Sequence, residues 1–147
     1  MTDRVFVDTN VLLYWVDESD PDRQRRAASW IDALWRSRRG RTGFQVLQEF
    51  FYQATRKQPD LRERFRNEVR NLFAWRPVSI EPELLERAWK LQDRYRLSFW
   101  DALIVAAAKS SSCRWLLTED LQPDQSLDGV TVINPFLRTP EDLPGPV

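Results

Sequence analysis

The sequence predicts an α/β fold in which a mostly parallel sheet is covered by helices on both faces. Three observations lead there. Short apolar runs (Val5-Phe6-Val7, Trp115-Leu116-Leu117 and Val130-Thr131-Val132-Ile133) alternate with longer amphipathic segments. The segment from Ser98 to Lys109 is apolar nearly all round, as expected of a helix buried in a core. The 147 residues suit one domain, which at this length removes roughly 68% of its extended surface from water.

Each element follows from a local pattern. Arg4-Val5-Phe6-Val7 reads as a buried strand that ends in the polar turn Asp8-Thr9-Asn10, and residues 11–16 continue as a helix. In residues 21–39, Ala27, Trp30, Ile31, Leu34 and Trp35 fall at i, i+3, i+4, i+7 and i+8, one face of a helix. Gly40 and Gly43 interrupt the pattern, which leaves a second strand at 40–44 doubtful. A helix over 44–57 turns Val46, Leu47, Phe50, Phe51 and Ala54 inward, and Pro59-Asp60 opens the next, striped by Leu61, Phe65, Val69, Leu72 and Phe73. Residues 77–80 suggest a brief strand, and 82–96 a helix with Pro at its start. The all-apolar helix from Ser98 and strands at 115–118 and 130–133 complete the pattern. After Pro135 the composition turns Pro-rich, as in a surface tail.

Composition narrows the chemistry. The chain has no histidine and a single cysteine, Cys113, which excludes Ser-His-Asp and Cys-His catalysis, histidine-rich zinc sites and a disulfide framework. Reaction chemistry here falls to carboxylates, Lys/Arg, hydroxyls, amides or a metal held by oxygen. Net charge is zero, from 22 basic and 22 acidic residues, which argues against a globally basic protein but not against basic patches. Nineteen of those cations are Arg, the forked donor that suits phosphate and carboxylate. The first residues, MTDRVFVDTN, lack the pattern of a signal peptide, and no stretch approaches ~18 continuous apolar residues. The expectation is a soluble cytoplasmic protein without membrane contact.

In an open parallel sheet, sites form at the carboxyl ends of the strands. Asp8 follows the first strand, Asp120 follows the 115–118 strand, and Asp101 is the only acid in the apolar helix. Each also has an ordinary reading. Asp101 completes a capping box with Ser98, Asp8 is a turn residue, Asn10 an N-cap, and Asp120 a loop acid. Glu49 sits about 130° from the centre of its helix's apolar stripe, where spacing alone leaves it solvated. Together the acids carry more weight. Two unit charges ~4 Å apart repel by roughly 4 kcal/mol at an effective dielectric of about 20, so converging carboxylates must partly protonate or hold a cation. Oxygen-only ligands favour Mg²⁺ or Mn²⁺ over zinc or copper.

The stretches VFVDTNVLLYW, QVLQEFFYQATRK and LSFWDALIVAAA followed by WLLTEDLQ resemble PIN-domain ribonucleases of the VapC toxin type, in matching order over most of residues 4–133. The resemblance implies a PIN-like three-layer α/β/α sandwich over residues 1–135, with 136–147 as a C-terminal surface tail. It implies an acidic quartet at Asp8, Glu49, Asp101 and Asp120 that holds Mg²⁺ or Mn²⁺ and cleaves RNA phosphodiesters, supported by Asn10 and Thr118. It also implies a homodimer of prokaryotic cytoplasm, silenced by a cognate antitoxin. One departure stands out: before Gln45 the family usually has an apolar strand ending in a small hydroxyl residue, whereas this chain reads Gly40-Arg41-Thr42-Gly43-Phe44.

For RNA contact the candidates are Arg62, Arg66 and Arg70, stacked at i+4 on one helix face, and Arg41 in the cluster Arg36-Arg38-Arg39-Arg41. Most Trp and Phe fall on core positions. Two other readings compete: a phosphatase or phosphoacceptor with Asp8 as nucleophile, and a non-catalytic RNA-binding module. Asn10 stands where many aspartate phosphatases carry a second Asp, and Lys109 lies at a helix end, so both features count against the former.

Overall fold

The strand β1 (Thr2–Val7) is flanked in parallel by β2 (Gly40–Arg41) on one side and β3 (Cys113–Leu117) on the other. These come from a computed structural model that describes residues 2–144. Beyond β3, β5 (Val130–Ile133) is again parallel, and β4 (Ser126–Leu127) closes the edge antiparallel to β5. The order β2-β1-β3-β5-β4 puts the chain's start near the middle of the sheet. Val5, Phe6, Val7, Leu116, Leu117 and Val132 are fully buried, the continuous burial that a sheet covered on both faces demands.

The helices are α1 (Thr9–Trp15), α2 (Pro21–Ser37), α3 (Phe44–Lys57), α4 (Arg62–Leu72), α5 (Pro82–Tyr95) and α6 (Phe99–Ser110). The chain leaves β1 in one direction to reach β2, then returns past β1 to reach β3. Right-handed crossovers therefore place α1 and α2 on one face, and α6 with its neighbour α5 on the other. The result is a three-layer α/β/α sandwich, mostly parallel, as the sequence predicts. It also creates a topological switch point at the carboxyl ends of β1 and β3.

Local chemistry sets the helix boundaries. Asp20 accepts a hydrogen bond from the Arg23 amide, Pro21 opens α2, and Ala27, Trp30, Ile31 and Leu34 face the core. Ser98 caps α6 by accepting from the Asp101 amide at 3.1 Å, and every residue from Ala102 to Ala108 is buried. Because α6 runs antiparallel to the β3 that follows it, its first turn lies at the carboxyl end of the sheet.

Several expectations need adjustment. Helix α1 begins at Thr9 rather than Val11, because the Asp8 carboxylate caps it through the Thr9 amide. The third strand spans Cys113–Leu117 and stops before Thr118. The doubtful second strand exists as the two-residue β2, extended by Thr42, whose buried hydroxyl donates to the Val7 carbonyl at 3.2 Å. Residues 77–80 form no strand. Val78 makes a single parallel bridge to Gly43, donating its N–H to the Thr42 carbonyl and accepting from the Phe44 amide. The edge strand β4 has too little apolar sequence to read in advance.

The segment after Pro135 is anchored to α2 and α1. Trp30 donates its indole N–H to the carbonyls of Pro135 and Arg138, Phe136 meets Tyr14 edge-on at 5.0 Å, and Pro140 and Leu143 are buried. Leu137, Arg138 and Glu141 point outward.

Candidate active site

The carboxyl ends of β1 and β3 hold a hydrogen-bonded cluster of polar side chains. Asp8 leaves β1 with its amide bonded to the Leu117 carbonyl of β3, so its position is fixed by the sheet itself. Its side chain is 8% exposed. One oxygen accepts from the Thr9 amide at 2.7 Å, and the other accepts from the Thr118 hydroxyl at 2.9 Å. Thr118, fully buried just past β3, also accepts from the Asp120 amide at 3.1 Å. That bond folds the Thr118-Glu119-Asp120 turn over the strand end.

Asn10 ties these pieces together. Its amide nitrogen faces Asp8 Oδ2 at 3.4 Å, Thr118 Oγ1 at 3.0 Å and Asp120 Oδ2 at 3.1 Å. Its amide oxygen accepts from the Glu119 backbone at 3.3 Å. A partly positive NH₂ group thus lies between two carboxylates, in the place where a cation would do the same work more strongly.

Glu49 joins from α3. The Thr9 hydroxyl donates to one of its oxygens and the Gln45 amide to the other, both at 3.1 Å. Spacing alone leaves Glu49 on the surface; in the fold it is half-buried, because α1 packs on that side of α3 and Thr9 bonds to it. Thr9 and Gln45 escape a sequence reading focused on acids. Gln45 has a visible signal, four residues before Glu49 on the same helix face.

Asp101 lies in the first turn of α6, on the same edge of the sheet and half-buried. Among the described residues no side-chain hydrogen bond or ion pair connects its carboxylate to the other three acids, and no three acidic, cysteine or histidine side chains gather closely enough to hold a metal ion together. The structure therefore assembles Asp8, Asn10, Thr118 and Asp120 directly, adds Glu49 through Thr9, and leaves Asp101 adjacent but unlinked.

The electrostatics fit a cation. Burial pushes the Asp8 carboxyl up from 3.8 to about 6. The Thr9 and Thr118 bonds oppose that rise, while the charges of Asp120 and Glu49 add to it. A desolvated carboxylate repelled by two others is relieved by a divalent ion, and its all-oxygen surroundings suit a hard one. Cys113, by contrast, is buried and its thiol pushed up to about 12, which leaves it protonated and a poor nucleophile.

The other candidates lie elsewhere. Arg62, Arg66 and Arg70 are exposed on α4, where Arg66 pairs with Glu63 at 2.8 Å and Arg70 donates to Asn67. Arg41 is half-buried beside Arg4 and Arg76, near the amino end of β1 and the end of α6, away from the acids. Lys109 closes α6 at that far end, donating to the Asp128 carbonyl at 2.7 Å. Lys109 is thus far from the Asp8 edge and offers no phosphoacceptor lysine there.

A family model for the PIN domain matches residues 5–125. Among curated proteins, none matches the sequence significantly. Two solved structures share the fold. One is a toxin–antitoxin complex from Klebsiella pneumoniae, 21% identical over 89% of this chain and 97% of that one, with a TM-score of 0.64. The other is VapC20 of Mycobacterium tuberculosis, a sarcin-ricin loop cleaving toxin, 22% identical over 76% of this chain and 86% of that one, with a TM-score of 0.57. With that sequence pattern laid over this sheet order and this acidic edge, the chain belongs to the PIN domain family.

Proposed function

We propose that the protein is a metal-dependent endoribonuclease of the VapC toxin type, cutting RNA phosphodiesters and silenced by a cognate antitoxin. The observation that carries this reading is the buried Asp8 at the switch point, joined through Asn10 and Thr118 to Asp120 in a chain of the PIN domain family. The toxin–antitoxin and VapC20 structures lend the biological context.

Asp8, Glu49, Asp101 and Asp120 are the residues that would hold Mg²⁺ or Mn²⁺. When bound, such an ion lowers the pKa of a water nucleophile and offsets the charge that develops on phosphate. The Thr118 hydroxyl and the Thr9 amide oppose the effect of burial on Asp8 and fix both of its oxygens. Asn10 holds Asp120 on the same side as Asp8. Thr9 and Gln45 fix both oxygens of Glu49. Asp101 comes from the opposite layer, on the first turn of α6. RNA lying across this edge would place its scissile phosphate at the switch point, beside the acids that would hold the ion.

A homodimer fits the same reading: Trp89 on α5 and Trp100 on α6 are 49% and 63% exposed on neighbouring helices. Among the described residues no helix is long and apolar enough to cross a membrane, and we place the protein in the cytoplasm with its RNA substrate.

The test is cleavage of total cellular RNA by antitoxin-free protein with Mn²⁺, Mg²⁺ or EDTA, read by sequencing new 5′ ends. Discrete ends that vanish with EDTA and in Asp101→Asn are the expected result. Ends that persist in Asp101→Asn at the wild-type rate would refute the assigned site, and none at all from folded protein would refute the nuclease.

A further inference from the structure

The arginine cluster at the end of α2 is not absorbed by the acidic edge. Two adjoining clefts lie near the amino end of the sheet and share Arg41 and Arg76. The first, about 300 Å³, is lined by Trp35, Arg38, Gly40, Arg41, Trp75 and Arg76. The second, about 220 Å³, adds Arg4 and the serines Ser110, Ser111 and Ser112 at the end of α6. Among the described residues, no acidic residue lines either cleft.

The guanidinium groups have little to neutralise them. Arg4 donates to the Ser111 carbonyl at 3.3 Å, and Arg41 to the carbonyls of Gly40 and Arg38. Among the described residues, Arg4, Arg38, Arg41 and Arg76 form no ion pair. Arg41 has its pKa lowered by burial and by repulsion from Arg4 and Arg76, the signature of converging cations. The Ser111 hydroxyl, buried beside them, has no hydrogen-bond partner among the described residues. A buried hydroxyl without a partner beside cations that form no ion pair is a setting that suits an anion.

The wall beside them is aromatic and built. Trp35 and Trp75 lie 5.1 Å apart at 52°, and Trp75 is buried while Trp35 is 37% exposed. Gly40 allows this, since a Cβ there would sit 2.7 Å from the Trp75 ring.

We propose that these joined clefts are a second, non-catalytic RNA-binding site, with Arg4, Arg38, Arg41 and Arg76 on backbone phosphates and a base stacked on the exposed face of Trp35. The polyanion's identity as RNA rests on the nuclease reading above. Forked arginines beside an open indole favour nucleic acid over an acidic peptide, because every nucleotide joins a phosphate to a ring that can stack. Gly40 and Arg41 pair with Val5 and Phe6, so the first cleft begins on the order of 7–10 Å of strand before Asp8, and Arg4 carries the second cleft further toward the start of β1. An RNA of several nucleotides spans both sites.

The experiment is anisotropy of fluorescein-labelled bulk tRNA in EDTA, titrated at several salt concentrations, with labelled polyglutamate as a second probe. Arg38 and Arg76 both adopt left-handed backbone, at φ 58° and 52°, so Asn is the neutral replacement that tolerates it. The double variant Arg38→Asn/Arg76→Asn is expected to bind tRNA at least tenfold more weakly. Its salt slope should fall by about 1.5, as two lost phosphate contacts predict. Should the double variant melt early, Arg76→Asn alone is read, with about a threefold loss expected. Unchanged tRNA affinity overturns the site. Equal affinity of wild type for polyglutamate and tRNA, lost together in the variant, overturns it in favour of an acidic protein partner. Wild type that cuts no RNA with Mn²⁺ yet shows this arginine-dependent tRNA binding sinks the nuclease reading alone.

Discussion

Asp8 is where sheet geometry and charge conflict, and its titration follows from that conflict. Its carboxyl sits at about 6 in the fold against 3.8 ordinarily, so the folded chain holds that proton more tightly than the unfolded chain. The corresponding stability is fully present below about pH 4, is lost as pH rises through 6, and stays lost above it. The size is on the order of 3 kcal/mol. Metal-free wild type should therefore lose stability relative to Asp8→Asn between pH 4 and 7, which urea melts across that range will show. Parallel curves for the two proteins would contradict the assigned burial. Around Asp8, Thr118→Val removes a buried donor and leaves Asp8, the Asn10 amide and the Asp120 amide short of a partner. A loss of about 1–3 kcal/mol is expected from chemical denaturation. Asn10→Ala should leave the fold intact and cut RNA cleavage at least tenfold, because the link between Asp8 and Asp120 disappears.

Elements decide how those residues meet. Ser98→Ala should cost α6 about 1 kcal/mol through its lost cap, and should lower cleavage as well, since Asp101 rides on the turn that the cap holds. Gly40→Ala forces a methyl group into the Trp75 ring, and a loss of about 1–3 kcal/mol in thermal or urea melts is the expected readout. Elements with strong periodicity were legible: α2, α3, α5 and the all-apolar α6 lie close to where spacing puts them. The short ones were not. Two residues of β2 and two of β4 carry no pattern of period two, and both exist because a neighbouring strand offers partners. Val78 is extended for the same reason, held by Thr42 and Phe44 rather than by its own sequence.

At the scale of the whole molecule, topology explains why acids far apart in sequence share one edge. Strand ends supply Asp8 and Asp120, α3 supplies Glu49, and α6 supplies Asp101 from the other layer. Composition and strand position pointed to three of these acids. Glu49 depended on the family resemblance, because helical spacing says nothing of which neighbour covers a helix end. The hydrogen bonds from Thr9 and Gln45 depend on packing and belong to the fold alone. Asp101 has no hydrogen bond or ion pair to the other acids among the described residues, whereas the Asn10 amide bridges Asp8 and Asp120.

That gap makes the central claim testable at one point. Calorimetric titration of Mn²⁺ into metal-free protein at pH 7.5 should show saturable binding to wild type. Binding should be at least tenfold weaker in both Asp8→Asn and Asp101→Asn if, as proposed, acids from the two helical layers close on the same ion. Wild-type affinity in Asp101→Asn, or no Mn²⁺ binding by folded wild type, would contradict the account.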